Sequence, residues 1–223
     1  MSTLAHDRDT AVARSKPAEP QGTLRRKPVQ QRSAERVARM LDACAQLLDE
    51  VGYTKLTTTL IAQRAEVAIG SVYQFFGDKR AVVRALGMRN LDLFFSRIEE
   101  RTADTPTDRW WELVDIVIDE YICMHRSQPG FCTLHFGDIV DIHLLDDSRS
   151  NNDVLTDRLI TLMDQRFHLP VTERTRLSIT VAVETGDVLV KLAFRHDPQG
   201  DDRILTEAKT LIRDYVAKAV SAG

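Results

Sequence analysis

At 223 residues, with 43% hydrophobic and 28% charged side chains, the chain has the balance of an ordinary soluble protein and the length for one large or two modest domains. No stretch approaches the roughly 18 consecutive apolar residues of a membrane-spanning helix, the first residues lack the basic-then-apolar order of a signal peptide, and Cys44, Cys123 and Cys132 are odd in number and apolar in setting. Membrane and secreted classes are set aside, and a cytoplasmic protein without membrane partners is expected.

The net charge of -3 hides an asymmetry. Residues 1 to 89 carry 15 Lys and Arg against 9 Asp and Glu, or +6, and residues 90 to 223 carry 15 against 24, or -9. A basic head on an acidic body is the pattern of a protein that meets phosphate at one end. Residues 1 to about 30 hold Pro17, Pro20, Gly22 and Pro28 among polar residues with few periodic apolar positions, so a disordered arm is expected. Its Arg25, Arg26 and Lys27 suit either a solvated tail or an arm for the minor groove.

From Ser33 the pattern changes. Val37, Met40, Leu41, Cys44, Leu47, Leu48 and Val51 recur at three- and four-residue steps, which predicts an amphipathic helix stopped by Gly52. Thr57 offers an N-cap for a short helix over Thr58 to Arg64, Ala65-Glu66-Val67 makes a turn, and a third short helix follows near Ala68 to Phe75, closed by Gly77. Asp78 caps a longer helix whose Val82, Val83, Leu86, Leu91, Phe94 and Ile98 run to about Arg101. Beyond a break that contains Pro106, helices are predicted over about 108–126, 131–145, 152–168, 172–195 and 202–220. The expected fold is all-α: the arm over 1–30, an N-terminal three-helix helix-turn-helix domain over 31–90, and a helical domain over 91–223.

A pair of short helices joined by a tight turn on a supporting helix is a compact trihelical unit whose last helix enters the DNA major groove while the one before it braces the backbone. On the third helix Val67, Val72, Phe75 and Phe76 form an inner face, and Ala68, Ile69, Gly70, Ser71, Tyr73 and Gln74 fall outward or at the edges. Gln74 is the candidate base reader, because its amide both donates and accepts and so matches adenine N6 and N7, while Ile69 offers apolar contact to a thymine methyl. Thr57, Ser71, Tyr73 and Lys79 suit phosphates. With Thr58 and Thr59 beside the cap, the candidate DNA-contacting set is Thr57, Thr58, Thr59, Ala68, Ile69, Gly70, Ser71, Tyr73, Gln74 and Lys79, and double-stranded DNA is the expected partner. Thr57 and Ser71 equally suit plain caps, and Lys79 a solvated helix start.

The segment Thr57 to Lys79, TTTLIAQRAEVAIGSVYQFFGDK, resembles the signature of the TetR family of transcriptional regulators. Ile61-Ala62, Ala65, Val67, Gly70-Ser71, Tyr73, Phe76 and Lys79 stand where that pattern places equivalents, and the likeness covers roughly residues 33 to 90. Glu66 departs from it where the family usually has glycine, and Thr59 where a basic residue is frequent. The resemblance implies a repressor that binds a palindromic operator as a homodimer and leaves it when a small-molecule effector enters the helical body and shifts the fourth helix.

For that effector the aromatic and polar residues Trp110, Trp111, Tyr121, His125, Phe131, His135, Phe136, Asp138 and His143 are the pocket candidates. For the dimer, Leu177, Val181, Val188, Leu192, Leu205, Leu211, Ile212 and Val216 supply apolar surface, suited equally to an interface or to an internal core. Cys123, His125, Cys132 and His135 match no well-defined metal spacing, so no metal and no cofactor are expected. A hydrolase using Cys132 with His135 or His143 lacks any supporting motif, so no catalysis is expected. The standing alternative is a helical small-molecule carrier or interaction protein that does not bind DNA.

Overall fold

The structure, a computed structural model, describes residues 26–106, 109–136, 143–169 and 171–221. Among these residues the secondary structure is helical, with no strand: α1 (Arg26–Lys55), α2 (Thr58–Arg64), α3 (Ile69–Phe75), α4 (Lys79–Thr102), α5 (Trp111–Ser127), α6 (Phe131–Phe136), α7 (Asn151–Phe167), α8 (Glu173–Phe194) and α9 (Asp202–Ser221). Residues Arg36–Gly223 form one compact unit, and the packing described below lies within it.

Local chemistry sets most of the helix ends. Gly52 adopts φ 72° and ψ 169°, breaking α1 and leaving one last turn to Lys55. The Thr57 side chain accepts from the Leu60 N–H at 3.2 Å, and the Asp78 carboxylate accepts from Ala81 N–H at 2.8 Å. Ser150 and Asp153 cap α7 reciprocally, and the Thr172 hydroxyl accepts from the Thr175 N–H at 3.1 Å to start α8.

Two expectations about boundaries change. The helix expected from Ser33 is already helical from Arg26, the first described residue. The part of the expected arm before Arg26 lies outside the described residues. Of the helix expected over 131–145, Phe131–Phe136 is helical as α6 and 143–145 is not. Beyond the undescribed 137–142, residues 143–149 form turns and bends, where side chains take backbone N–H groups: Leu145 N–H donates to Asn151 Oδ1 at 2.9 Å, and Ser148 N–H to Asp146 Oδ1 at 2.8 Å.

Two apolar cores share α4. Toward its start, Val82, Val83 and Leu86 join Met40, Cys44, Leu48, Ile61 and Val72 in the core of the helix-turn-helix head. Toward its end, Leu91, Phe94, Phe95 and Ile98 join residues of α5, α7, α8 and α9 in the body core. Leu144 is buried in the first core and Leu145 in the second, so the short segment before α7 touches both. Gly130, between α5 and α6, sits so close to α1 that a Cβ there would lie 2.8 Å from the Ala45 carbonyl oxygen. α8 packs along α9 and against α7, and α5 lies between α4 and α9.

Candidate functional site

The head presents α3 outward. Val72 is fully buried and Phe76 nearly so, which anchors the helix by its inner edge. Ala68, Ile69, Gly70, Tyr73 and Gln74 are exposed and Ser71 is half-buried, so the predicted reading face is a continuous outer surface. The Tyr73 hydroxyl, on a side chain 56% exposed, lies 3.1 Å from the Thr58 hydroxyl at the start of α2. That bond fixes the phenol between the two helices of the pair while leaving its outer edge in solvent. Thr57 spends only a lone pair on its cap, so its O–H is still a donor, and Thr59 is exposed beside it.

Lys79 differs from expectation. Its ammonium donates to the backbone carbonyls of Tyr53, at 3.1 Å, and Leu56, at 3.3 Å, and stands 4.4 Å from the centre of the Tyr53 ring. The side chain closes the end of α1 onto the start of α4, where carbonyls left over by a helix C-terminus attract a cation. Other basic residues of the head are engaged as well. Arg64 makes a two-pronged bond to Glu50, at 2.8 and 2.6 Å, and this hydrogen bonding holds the Glu50 carboxyl below its usual range. Arg89 pairs with Asp42 at 2.6 Å. Glu66, in the turn between α2 and α3, has φ 53°, a left-handed conformation that an L side chain adopts at a cost.

The body holds an apolar cavity of about 100 Å³ between α4, α5, α7, α8 and α9, lined by Phe94, Val117, Leu155, Val183, Val190 and Ile212 among others. Its polar edge is made by Tyr121, Asn152 and Asp187. A smaller chamber of about 30 Å³ shares Phe94, Tyr121, Asn152 and Leu155 with it and extends to Gly87, Asn90 and Leu145. The Tyr121 hydroxyl donates to Asp187 Oδ1 at 2.9 Å, and Lys191 Nζ donates to Asp187 Oδ2 at 2.6 Å. Burial first, and the Asp187 charge second, push the Tyr121 phenol well above its ordinary pKa, so it stays neutral.

Of the predicted pocket residues, Tyr121 lines both chambers and Phe131 the smaller one. Trp110 packs against the body core and Trp111 is 43% exposed, and neither lines a chamber. His125 is buried behind the cavity wall, donating from Nδ1 to the Tyr121 carbonyl at 2.7 Å and packed against Phe131 and Phe194. His143 is half-buried in the segment before α7, and the side chains of His135, Phe136 and Asp138 lie outside the described residues. The sequence does not single out the aliphatic liners, which any helical core supplies, nor the polar Asn90, Asn152 and Asp187, which carry no motif.

The predicted interface residues divide. Leu177, Val181, Val188 and Leu192 on α8 and Leu211 on α9 are exposed, with Tyr215 beside them, while Leu205, Ile212 and Val216 are buried. Among the described residues no group of three or more His, Cys, Asp or Glu is placed to hold a metal ion, and no helix is long and apolar enough to cross a membrane.

Comparison with known proteins agrees with this geometry at both ends of the chain. Residues 40–86 match the family of bacterial regulatory proteins of the tetR type, and residues 108–220 match the tetracyclin repressor-like C-terminal domain. A TetR-family transcriptional regulator from Streptomyces coelicolor is 41% identical, with a TM-score of 0.72 over 82% of this chain and 99% of its own. An uncharacterized HTH-type transcriptional regulator of Mycobacterium bovis is 36% identical over 81 residues, and the HTH-type transcriptional repressor KstR of Rhodococcus jostii is 29% identical over 96. Those two matches cover 34% and 43% of this chain and 42% and 43% of the relatives, so the chain spans less than half the length of the curated relatives it matches. With the helix-turn-helix head and the helical body both matched, the chain belongs to the TetR family of bacterial regulatory proteins.

Proposed function

We propose that the chain is a cytoplasmic transcriptional repressor that binds a near-palindromic DNA operator as a homodimer and releases it when a small molecule enters the cavity of the body. The observation that carries this reading is the outer face of α3, where Ile69, Gly70, Tyr73 and Gln74 stand exposed on a helix anchored by Val72 and Phe76. Gln74 reads a base edge, Ile69 touches a thymine methyl, and Thr57, Thr58, Thr59, Ser71 and Tyr73 fix the register on phosphates. Lys79 contributes by holding α4 against α1. Repression is the direction carried by the relative KstR, a repressor by name.

The dimer surface is the exposed apolar stripe of α8 and α9, which a two-fold axis would turn into a four-helix bundle. Signal transfer runs along α4, which directly follows the reading helix and whose Gly87, Asn90, Leu91 and Phe94 line the smaller chamber. A ligand shifts the switch only as far as it prefers one arrangement of that helix. Catalysis has no support in the residues: burial raises the Cys132 thiol, which donates to the His125 carbonyl at 3.3 Å, and a neutral thiol is a poor nucleophile.

Footprinting on DNA from upstream of the protein's own gene tests the reading. The expected result is a protected near-palindrome with half-site centres about 34 Å or a multiple apart. Absence of protection on that DNA and on randomised DNA, even at low salt, would overturn it in favour of a carrier that does not bind DNA. That alternative draws on the engagement of Lys79 and Arg64 inside the head.

A further inference from the structure

The cavity is polar in a particular way. Among the described residues no Lys, Arg or His lines either chamber, and the carboxylate at the edge of the larger one, Asp187, is already served by Tyr121 and Lys191. Asn151 spends its Oδ1 on the Leu145 N–H, and Asn152 donates to Glu184 Oε2 at 3.0 Å. Asn90 differs from both: it is 3% exposed, lines the smaller chamber from α4, and its buried Nδ2 has no hydrogen-bond partner. A buried amide donor without an acceptor is costly, and such groups in folded proteins call for an explanation.

Resting on the reading of this cavity as the effector site, we infer that the effector is an uncharged, mostly apolar molecule whose oxygen acceptor, a carbonyl, ether or hydroxyl, takes a hydrogen bond from Asn90 Nδ2 in the smaller chamber. The apolar remainder of the molecule fills the space between Val117, Leu155, Val183 and Ile212. A carboxylate or phosphate in the same place would be buried in a chamber with no cation among its described lining residues to balance it, which the desolvation of an ion makes prohibitive. Asn90 thereby ties ligand chemistry to the helix that leaves the DNA-reading unit.

The test is calorimetric titration and thermal shift of the full chain with two matched series of straight-chain probes of six to twelve carbons, methyl ketones and carboxylates. The variants are Asn90→Leu, Asn90→Thr and the cavity-filling Val183→Trp. The expected result is binding confined to the ketones, at least about tenfold weaker in Asn90→Leu and lost in Val183→Trp. Without ligand, Asn90→Leu should melt no lower than wild type, since it removes an unpaired buried donor, and Asn90→Thr supplies the comparison if it does not fold. Carboxylates binding as well as ketones, or ketone affinity unmoved in both Asn90 variants, would overturn the inference while leaving the cavity as the effector site. Ketones binding equally to Val183→Trp, or no probe of either series binding wild type, would overturn the inference together with the reading of the cavity.

Discussion

The ammonium of Lys79 is bonded to the carbonyls of Tyr53 and Leu56 and lies over the Tyr53 ring, so the first residue of α4 closes the end of α1. Two charge-assisted hydrogen bonds and a partly exposed cation–π contact together stabilise the head by about 1–3 kcal/mol. Lys79→Ala should therefore lower the melting temperature and weaken DNA binding on every sequence alike. Lys79→Met, which keeps the aliphatic stem, should recover little of the stability. A Lys79→Ala protein with unchanged melting and weakened binding would instead make the ammonium a direct phosphate contact.

Glu66 is held at φ 53° in the turn between α2 and α3. A left-handed conformation costs an L residue about 1–2 kcal/mol, partly offset by the greater freedom that glycine loses on folding. Glu66→Gly should stabilise the chain by about 0.5–1 kcal/mol in denaturant unfolding. It also removes a negative charge beside the proposed DNA-reading face, so on that reading affinity should rise, most clearly at low salt.

Much of this arrangement was legible in the sequence. The three- and four-residue apolar steps, the caps at Thr57 and Asp78 and the break at Gly52 are local signals, and the helices of the head follow them. The side chains that sit outward on α3 were equally readable, because one buried edge fixed by Val72 and Phe76 leaves the other in solvent. What the sequence does not display is partnership at long range. The basic surplus of residues 1 to 89 includes Arg80 and Arg84 as available charge, whereas both pair with Asp147 of the segment before α7. The sequence points to aromatics for the cavity, yet aliphatic residues from four helices make most of it, and only the packing separates them from ordinary core.

Asp147 bridges Arg80, at 3.0 Å, and Arg84, at 3.1 Å, and both arginines also hold carbonyls of the same segment, those of His143 and Leu145. Hydrogen bonds from Arg80 and then Arg84 keep the Asp147 carboxyl below its ordinary pKa. A depressed folded-state pKa means that the contribution is complete above the unfolded value, near pH 4, and is lost as pH falls through the folded one. Asp147→Asn should thus loosen residues 143–147 at neutral pH, seen as faster amide exchange, and should flatten the acid limb of the stability profile below about pH 4. An acid limb identical to wild type would remove Asp147 from this role.

Leu177, at 63%, Val188, at 61%, and Leu211, at 53%, are the most exposed large apolar side chains on α8 and α9. A stripe of that kind on adjacent helices suits burial against a second copy. Val188→Glu combined with Leu211→Glu should yield a folded monomer by sedimentation, with unchanged helical content and DNA binding reduced by at least about tenfold because only one half-site is held. Retention of the dimer would place the interface elsewhere.

The central claim, that the outer face of α3 reads DNA, is tested most directly by fluorescence anisotropy at several salt concentrations. The titrations compare the protein's own upstream fragment with randomised DNA for wild type, Tyr73→Ala and Gln74→Ala. Expected is a wild-type preference for the upstream fragment, a loss of about 1–3 kcal/mol in Gln74→Ala on that fragment alone, and in Tyr73→Ala a weakening on both DNAs. Equal affinity of wild type for the two DNAs, or a Gln74→Ala protein that discriminates as well as wild type, would contradict it.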